Sequence, residues 1–386
     1  MIDCQEVNMK TNGEHHMSSI KVLDSKIICG QLTSGDSKVS AYFPNVTQMD
    51  NGKLLAAFVA GSGMDNIDTT TMVSSSIDGG TTWHAPVKLF EASIKDRVFT
   101  DSCKITAVGS HTVVAIGYRF FRDDPSVPVG NPDTGGVLPD EVVLLRSDDE
   151  AKHFHRPEII PVSFNEPVEA SAPLVVLSNG HWITPIANFM NWDGSTASGL
   201  FGRMLRSEDE GLTWDDVTVT LRFPKPHMSV WEQRACEMEP GMVAVIAWVE
   251  DLKNNQLHPN HIAVSNDYGK TFFSPISTGI MGQASSIHYL GNDRVLTLHS
   301  IRRDTDRPGL LACIAQIRDN TFDIISQQMI WEPEPFSKDS TKHSVFAYLK
   351  FGQPSAIKLQ NGKWMLTFWY EQHGKSQIQC IFLDII

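Results

Sequence analysis

The chain has 386 residues, of which 41% are hydrophobic and 20% are charged, and its formal net charge is −13. This length allows a large buried core, and closed all-β folds of this size form one unit. An acidic surface repels phosphate groups and anionic lipids, which excludes a nucleic-acid partner. No run of 18 apolar residues occurs, so no membrane-spanning segment is expected.

The first residues, "MIDCQEVNMKTNGEHHMSS", lack the cationic start and apolar stretch of a signal peptide. We expect a cytoplasmic protein, or a secreted one if a leader has been removed, with residues 1–20 as a flexible segment. The six cysteines are scattered without metal-ligand spacing, which predicts reduced thiols and no zinc site. No nucleotide-binding motif occurs, so neither a metal nor a cofactor is expected.

Six hairpin patterns follow one another along the chain. Each has a short strand, a tight turn of the Asn-Gly or Pro-Gly kind and a more apolar strand. They begin at Asp101 and, in the other five cases, at Pro44, Ala172, Gln233, Ala284 and Gln353. No stretch combines sustained helical periodicity with caps, so the chain is predicted to be all-β.

A repeated octapeptide follows four of the hairpins, with the pattern Ser-x-Asp-x-Gly-x-Thr-Trp/Phe. Its copies are "SIDGGTTW" from Ser76, "SDDEAKHF" from Ser147, "SEDEGLTW" from Ser207 and "SNDYGKTF" from Ser265. Their first residues are 58 to 71 positions apart, an interval that suits one four-stranded sheet with its loops. Six such sheets predict a six-bladed β-propeller with four-stranded antiparallel blades.

This propeller is predicted to occupy residues 21–386 as a single domain. The last hairpin is followed by only one more apolar strand, "IQCIFLDII". The segment "KIICGQL", which begins at Lys26, supplies the missing outer strand of that blade in our prediction. The N- and C-terminal strands then close the ring and leave few exposed sheet edges.

The four octapeptides resemble the Asp-box (BNR) repeats of the sialidase, or neuraminidase, superfamily. Because the six hairpins are in phase with them, the resemblance extends over nearly the whole chain. In that superfamily the boxes lie in turns between outer strands, far from the chemistry. The residue types agree, since Asp accepts backbone N–H bonds, Gly adopts a positive φ and the aromatic ring packs into the blade. We therefore expect Asp78, Asp209 and Asp267 to be structural.

Candidate site residues lie where the innermost strand of each blade begins, at the central channel. Counting back nine positions from the turn glycines reaches Phe43, Glu232 and Gln353. The comparable positions are Asp101 on the second hairpin, Glu169 or Ser171 on the third and Gln283 on the fifth. Buried carboxylates are costly unless they are paired or functional. Two or three of them around one pocket suit glycoside hydrolysis, in which one protonates the leaving oxygen and another attacks or activates water.

The resemblance implies roles for two acids. Glu232, in "WEQRACEM", resembles the sialidase glutamate that polarises a tyrosine nucleophile. The acid/base aspartate of sialidases comes from the loop after the first hairpin, where "GSGMDNIDTTTMV" offers Asp65 or Asp68, with Asp65 better placed by its distance to the octapeptide. We predict Glu232 and Asp65 as the catalytic pair of a sialidase-like, exo-acting glycoside hydrolase that cleaves a terminal sugar. Asp101 is the third catalytic candidate.

The sequence departs from the sialidase pattern where those enzymes bind the sialic-acid carboxylate through three arginines. Tyr42 and Trp248 stand at the places of the first two. The third is supplied by one of the arginines in "SIRRDTDRPG", which are Arg302, Arg303 and Arg307. The predicted substrate is therefore a sugar without an obligatory carboxylate, or one whose carboxylate is bound differently.

The remaining predicted substrate contacts are polar and aromatic. Gln353 stands where sialidases have the nucleophilic tyrosine, and Tyr348 precedes it by five residues. Phe43 and Trp248 are available to stack on a sugar ring, and Glu169 lies on the rim of the site.

Two other functions remain open from the sequence. A polysaccharide lyase uses a His or Tyr base with cations that neutralise a uronate, for which His299 lies near Arg302 and Arg303. A non-catalytic carbohydrate-binding propeller agrees with the missing arginines. The predicted partner is a carbohydrate in every case, and the pattern does not indicate an oligomeric state.

Overall fold

The architecture was obtained from a computed structural model, which describes residues 19–30, 32–34, 37–90, 97–318, 320–334 and 349–386. The described residues form 26 β-strands and no helix, so the prediction of an all-β fold is confirmed. None of these residues belongs to a helix long and apolar enough to cross a membrane. The five described cysteines are all free thiols.

The strands form six antiparallel sheets, one after another along the chain, which confirms the predicted six-bladed propeller. Blade 1 consists of β2 (Leu32–Ser34), β3 (Ser37–Gln48), β4 (Leu54–Gly61), β5 (Thr70–Ser76) and β6 (Val87–Lys88). Blade 2 consists of β7 (Phe99–Ala107), β8 (Val113–Phe121), β9 (Asp140–Ser147) and β10 (Glu158–Ile160). Blade 3 consists of β11 (Val168–Glu169), β12 (Val175–Val176), β13 (Trp182–Asn188), β14 (Gly202–Ser207) and β15 (Asp215–Val219).

The second half of the ring repeats this arrangement. Blade 4 consists of β16 (Met228–Glu239), β17 (Met242–Asp251), β18 (Gln256–Ser265) and β19 (Ile276–Ser277). Blade 5 consists of β20 (Ser285–Gly291), β21 (Arg294–Ile301), β22 (Gly309–Arg318) and β23 (Thr321–Trp331). Blade 6 consists of β24 (Phe351–Lys358), β25 (Trp364–Gln372), β26 (Lys375–Ile385) and, as its outer strand, β1 (Ile20–Cys29).

Blade 6 is built from both ends of the described chain. Strand β1 pairs antiparallel with β26, from Ile20 opposite Ile385 to Cys29 opposite Ile378. Backbone hydrogen bonds between Ser19 and Ile386 continue this pairing beyond the strand ends. Because β1 covers the outer edge of β26, the seam of the ring is held by a hydrogen-bonded ladder.

The core lies between the faces of neighbouring blades. All eight residues of β4, "LLAAFVAG", are buried, because this strand is covered on both faces by adjacent blades. One apolar cluster joins blade 1 to blade 6 around Phe58 and Trp369, both fully buried. Burial of this kind stabilises a large aromatic side chain by roughly 2–3 kcal/mol. The stacked blades therefore hold the innermost strands in fixed positions around the ring axis.

The four octapeptides form turns between the last two strands of blades 1 to 4. In the fourth copy, Asp267 Oδ1 accepts the backbone N–H of Thr271 at 2.8 Å, and Oδ2 accepts the Thr271 hydroxyl at 2.6 Å. The Ser265 hydroxyl donates to Asp267 Oδ1 at 2.7 Å and accepts the N–H of Gly269 at 2.9 Å. The turn is closed by its own side chains, as the structural interpretation of the octapeptide expects.

Candidate active site

Three innermost strands are distorted at the same place. The pairing of β3 with β4 shifts between Tyr42 and Asn45, and β16 and β24 shift at the equivalent positions of blades 4 and 6. At each of these β-bulges one residue other than glycine has a positive φ, namely Phe43 (54°), Glu232 (46°) and Gln353 (46°). Such a conformation costs of order 1–3 kcal/mol and re-aims the side chain. These are the three residues that the nine-residue count reached.

The bulged residues line a central cavity of about 300 Å³. Five blades contribute to it, and its walls are largely aromatic and aliphatic. The aromatic lining residues are Phe43, Tyr118, Phe120, Phe189, Trp231 and Trp248. The acidic ones are Asp65, Asp101, Glu169, Glu232 and Glu250. The structure thus brings seven of the predicted site residues to one cavity: Phe43, Asp65, Asp101, Glu169, Glu232, Trp248 and Gln353.

A buried lysine connects the bulges of blades 1, 4 and 6. Lys104, only 1% exposed, donates from Nζ to the backbone carbonyl of Phe43 and to Gln353 Oε1, the latter at 3.1 Å. The Gln353 amide Nε2 donates in turn to Glu232 Oε1. Because an ammonium group only donates, it fixes the Gln353 oxygen toward itself and the amide NH₂ toward Glu232. Burial, followed by the nearby charge of Arg234, lowers the pKa of Lys104 to about 7.

Glu169 lies beside Glu232 and is 3% exposed. Its Oε2 accepts the backbone N–H of Glu232 at 3.1 Å, and its Oε1 accepts the N–H of Ser171 at 3.2 Å. Burial raises the pKa of Glu169, although the charge of Arg234 acts in the opposite direction. Arg234 is itself buried and donates to the Ser171 hydroxyl at 3.2 Å. Glu232 therefore has both Lys104 and Arg234 within electrostatic range.

The other two predicted catalytic acids are also perturbed by burial. Asp101, 4% exposed, accepts the Thr71 N–H at 2.7 Å and the Thr70 hydroxyl at 2.8 Å, yet burial raises its pKa to about 6. Asp65 Oδ1 accepts the N–H of Val129 at 2.8 Å, and burial raises the pKa of this carboxyl as well. Carboxyl groups that hold a proton closer to neutral pH are suited to act as general acids.

Asp68, the alternative to Asp65 in the same loop, lies outside the cavity lining. Its carboxylate is exposed and accepts the Ser62 N–H at 3.0 Å and the Ser62 hydroxyl at 2.9 Å. These hydrogen bonds indicate that Asp68 stabilises its own loop.

Tyr118 is a cavity residue that the sequence analysis missed. It lies on β8 directly opposite Ser102. Burial and the charges of Glu169 and Glu232 raise the pKa of Tyr118 well above its ordinary value. No local pattern in the hairpin marks this position, because the two glutamates near Tyr118 come from other blades.

Two buried polar atoms of the cavity lining have no hydrogen-bond partner among the described residues. They are the Thr100 hydroxyl oxygen and the indole Nε1 of Trp248, on side chains that are 3% and 8% exposed. Buried polar groups are almost always paired, so these two atoms are exceptions within the described structure.

The three arginines predicted to hold a sugar group lie outside the cavity lining. Arg302 donates to Gln283 Oε1 at 2.9 Å and to the Phe351 carbonyl at 2.8 Å. Arg303 forms an ion pair with Glu250, and the exposed Arg307 forms one with Glu332. We therefore do not assign these arginines to substrate binding. Tyr348 lies outside the described residues, so its predicted role stays a prediction.

His299, the candidate base of the lyase alternative, is fully buried. Its Nδ1 is 2.7 Å from Asn260 Oδ1 and its Nε2 is 2.8 Å from the Thr297 hydroxyl. Burial lowers the pKa of His299 to about 3. The described residues also bring together no group of three or more His, Cys, Asp or Glu side chains arranged to hold a metal ion.

No protein-family model matches the chain, and no curated protein matches it by sequence. Solved structures do match. A protein of unknown function from Dyadobacter fermentans is 20% identical, with a TM-score of 0.70 over 95% of this chain and 99% of that one. The sialidase NanB from Streptococcus pneumoniae is 12% identical, with a TM-score of 0.64 over 93% of this chain and 70% of that one.

A sialidase from Trypanosoma rangeli, solved in complex with sialic acid, is 17% identical. It has a TM-score of 0.61, and the match covers 94% of this chain and 58% of that one. At these identities the likeness concerns the fold. The predicted resemblance to the sialidase superfamily is confirmed at that level: the chain has the six-bladed propeller fold of the sialidases.

Proposed function

We propose that the protein is an exo-acting glycoside hydrolase that removes a terminal sugar in the central cavity. The observation that carries this proposal is the set of carboxyl groups in unlike environments around one cavity. The pKa of Asp65 is raised by burial, whereas Glu232 has two cations within electrostatic range. Glycoside hydrolysis needs one carboxyl group that donates a proton to the leaving oxygen and a second that assists attack at the anomeric carbon. A cavity of about 300 Å³ has room for a single sugar residue.

In the proposed reaction, Asp65 donates its proton to the glycosidic oxygen as the bond from that oxygen to the anomeric carbon breaks. Glu232 supports the new bond at the anomeric carbon, either as the base that takes a proton from water or as the nucleophile. Water supplies the incoming oxygen, so the products are a free sugar and an alcohol. Gln353 holds the Glu232 carboxylate in place through its amide N–H.

Tyr118 is assigned a binding role in this proposal. Because burial and two neighbouring glutamates raise its pKa, the phenol keeps its proton and donates a hydrogen bond to the sugar. Trp231 and Phe189, with ring centroids 5.5 Å apart, provide an apolar wall for the sugar ring. The octapeptide turns are Asp-boxes in this proposal and have no part in the chemistry.

The test is a panel of aryl glycosides of terminal sugars, assayed with the wild-type protein and two variants. Glu232→Gln and Asp65→Asn are expected to reduce kcat by about 10²- to 10⁴-fold while sugar binding, measured by calorimetry, is retained. Matched controls are Glu239→Gln, at the exposed end of the same strand, and Asp68→Asn, in the same loop as Asp65. Both controls are expected to keep wild-type turnover.

Unchanged turnover in Glu232→Gln contradicts the assigned chemistry. Binding without turnover across the panel indicates a carbohydrate-binding propeller instead. An unsaturated product that absorbs ultraviolet light indicates a lyase.

A further inference from the structure

One side of the cavity is formed by a single apolar cluster. Phe120, Val129 and Val137 are buried together, and Tyr118 and Phe189 pack against them. All five residues line the cavity, and we refer to them as the Phe120 cluster. They come from β8, from the segment between β8 and β9 and from the position that follows β13, so blades 2 and 3 supply this side together.

The aromatic rings on this side form a continuous surface that extends to blade 4. The ring centroids of Tyr118 and Phe120 are 5.1 Å apart, and those of Phe120 and Phe189 are 6.4 Å apart. The ring of Phe189 also contacts Trp231 of blade 4. Phe189 and Trp231 are only partly buried although they line the cavity. Their uncovered surface favours a ligand that presents C–H groups to it.

Four polar side chains of the lining already have protein partners. Asp101 accepts two hydrogen bonds from blade 1, and Gln353 uses both its oxygen and its amide group within the protein. Glu250 forms an ion pair with an arginine of blade 5, and Asp65 accepts the N–H of Val129. The lining therefore has less hydrogen-bonding capacity to offer a ligand than its number of polar residues suggests.

The charges around the cavity favour a neutral sugar. The described part of the lining includes no lysine or arginine, so a sugar carboxylate has no cation to pair with there. Burial raises the pKa values of Asp65, Asp101 and Glu169, because these surroundings disfavour an uncompensated charge. The charge of Glu250 is compensated by its ion pair. A sugar that carries no charge avoids the cost of burying one.

The position of the proposed general acid orients the sugar relative to the Phe120 cluster. Asp65 Oδ1 accepts the backbone N–H of Val129 at 2.8 Å, so the cluster begins beside the group that protonates the glycosidic oxygen. Two substituents of a hexose lie next to its glycosidic bond, namely the 2-hydroxyl and the group on C5. Hydrogen bonds to the 2-hydroxyl strengthen in the transition state, so this hydroxyl belongs on the polar side near Glu232. The group on C5 then lies against the Phe120 cluster.

We propose that the terminal sugar is a neutral 6-deoxyhexose, whose methyl group on C5 packs against the Phe120 cluster. An ordinary hexose carries a hydroxymethyl group at this place, and its hydroxyl would lose its hydrogen bonds to water without finding a partner in the cluster. The inference rests on the proposed function, because it takes the cavity to be the sugar site and Asp65 to be the acid. It names the substrate class, which the hydrolase proposal leaves undefined.

The experiment measures kcat/KM for p-nitrophenyl glycosides with the wild-type protein. Fucosides, rhamnosides and quinovosides are compared with the galactoside, mannoside or glucoside of the same configuration, in both anomers and both enantiomeric series. The pentoside that lacks the sixth carbon is included for each pair, together with N-acetylhexosaminides and a sialoside. At least one 6-deoxyhexoside is expected to exceed its matched hexoside and pentoside by about 10- to 100-fold, the range over which an apolar pocket distinguishes one hydroxyl or one methyl group.

A pair of valine variants tests the contact with the cluster. Val137→Thr adds a hydroxyl to the Phe120 cluster and is expected to reduce the preference for the 6-deoxyhexoside over the matched hexoside several-fold. Val73→Thr is the matched control, because Val73 and Val137 are both 3% exposed but Val73 lies in the core between blades 1 and 2, outside the cavity lining. The control is expected to keep the wild-type preference, and thermal unfolding checks that both variants are folded.

Equal or faster hydrolysis of the matched hexoside overturns the 6-deoxyhexose inference and leaves the proposed function intact. Preference for a pentoside, an N-acetylhexosaminide or the sialoside does the same. A loss of preference in Val73→Thr as large as that in Val137→Thr contradicts the contact between the methyl group and the cluster. Absence of hydrolysis across the whole panel contradicts the proposed function itself, so the two failures are distinguishable.

Discussion

The turns at the outer ends of the blades and the bulges at their inner ends use the same left-handed backbone conformation with different residues. The turns place Gly80, Gly211 and Gly269 there, with φ of 88°, 82° and 71°. Glycine adopts this conformation without steric cost. At the centre the same region is filled by residues with large side chains, two of which carry the polar groups of the cavity. Some turn residues other than glycine, such as Glu210 and Tyr268, also have a positive φ, but at the centre all three such residues belong to the cavity lining.

The carboxyl groups of the outer turns and of the central cavity differ in the direction of their pKa shifts. Hydrogen bonds from Thr82 and Thr213 lower the pKa values of Asp78 and Asp209 to about 2. Burial raises the pKa of Asp101 at the centre to about 6. The aspartates of the outer turns are stabilised as ions by the groups around them, whereas the central acids are kept in surroundings that disfavour the ion. Only the raised pKa of the central acids prepares a carboxyl group for proton transfer.

The largest expected difference between the central cavity and the outer turns is in the effect of removing a lysine side chain on stability and turnover. Lys104→Met leaves the Phe43 carbonyl and Gln353 without their donor and leaves the charge of Glu232 less compensated. We expect a loss of about 3 kcal/mol in the free energy of unfolding, measured with denaturant. Turnover is expected to fall roughly tenfold or more, because the Gln353 amide is no longer oriented toward Glu232.

The matched control is Lys53→Met near the octapeptide turn of blade 2, where the lysine pairs with Glu150 at 3.3 Å. This pair near the surface is expected to contribute much less to stability than Lys104 does, and turnover is expected to be unchanged. If Lys104→Met and Lys53→Met lose the same stability, the distinction between the central cavity and the outer turns is contradicted. Unchanged turnover in Lys104→Met shows that Gln353 needs no help to orient Glu232.

A smaller effect is expected at the aspartate of an outer turn. Asp267→Ala removes the acceptor of the Thr271 and Ser265 bonds and is expected to cost roughly 1 kcal/mol at neutral pH, with turnover intact. Burial acts to raise the pKa of Asp267, but these hydrogen bonds lower it from 3.8 to about 2. The stabilisation is therefore present above pH 4 and is lost as the pH falls toward 2.

Thermal unfolding of wild type and Asp267→Ala across this range checks the sign, because the two proteins are expected to converge in acid. A gap in melting temperature that widens as the pH falls contradicts the assignment. A loss of turnover at neutral pH contradicts the separation of the outer turns from the chemistry.

The smallest expected effect is a gain. Glu210 has a φ of 57° at the octapeptide position where the first copy has Gly79, and its side chain is exposed. Glu210→Gly is expected to raise the free energy of unfolding by roughly 0.5 kcal/mol, since relief of the left-handed strain exceeds the added freedom of the unfolded chain. Glu208→Gly, at a position without a positive φ, is the control and is expected to lower it. A loss of stability in Glu210→Gly means that the strain is negligible.

The repeats in the sequence predicted the blades because each copy obeys the same local rules of hairpin and turn. The count of nine residues back from the turn glycine located Phe43, Glu232 and Gln353. It succeeded because the bulge lies at the same distance from the turn in blades 1, 4 and 6. Lys104 and Tyr118 were not found. Their roles depend on contacts with residues of other blades. The local sequences "DSCKITA" and "VVAIGYRFF" do not indicate these contacts.

The ladder between β1 and β26 has a consequence for how the protein is made. Ile20 is synthesised more than 350 residues before its partner Ile385, so β1 cannot pair with β26 until that stretch of chain has been made. Pairings of such long sequence separation form slowly. The cavity is also completed late, because residues of blades 1 and 6 both line it. These two blades become neighbours only when β1 pairs with β26. Newly synthesised chains are thus expected to acquire the binding site in the last step of folding.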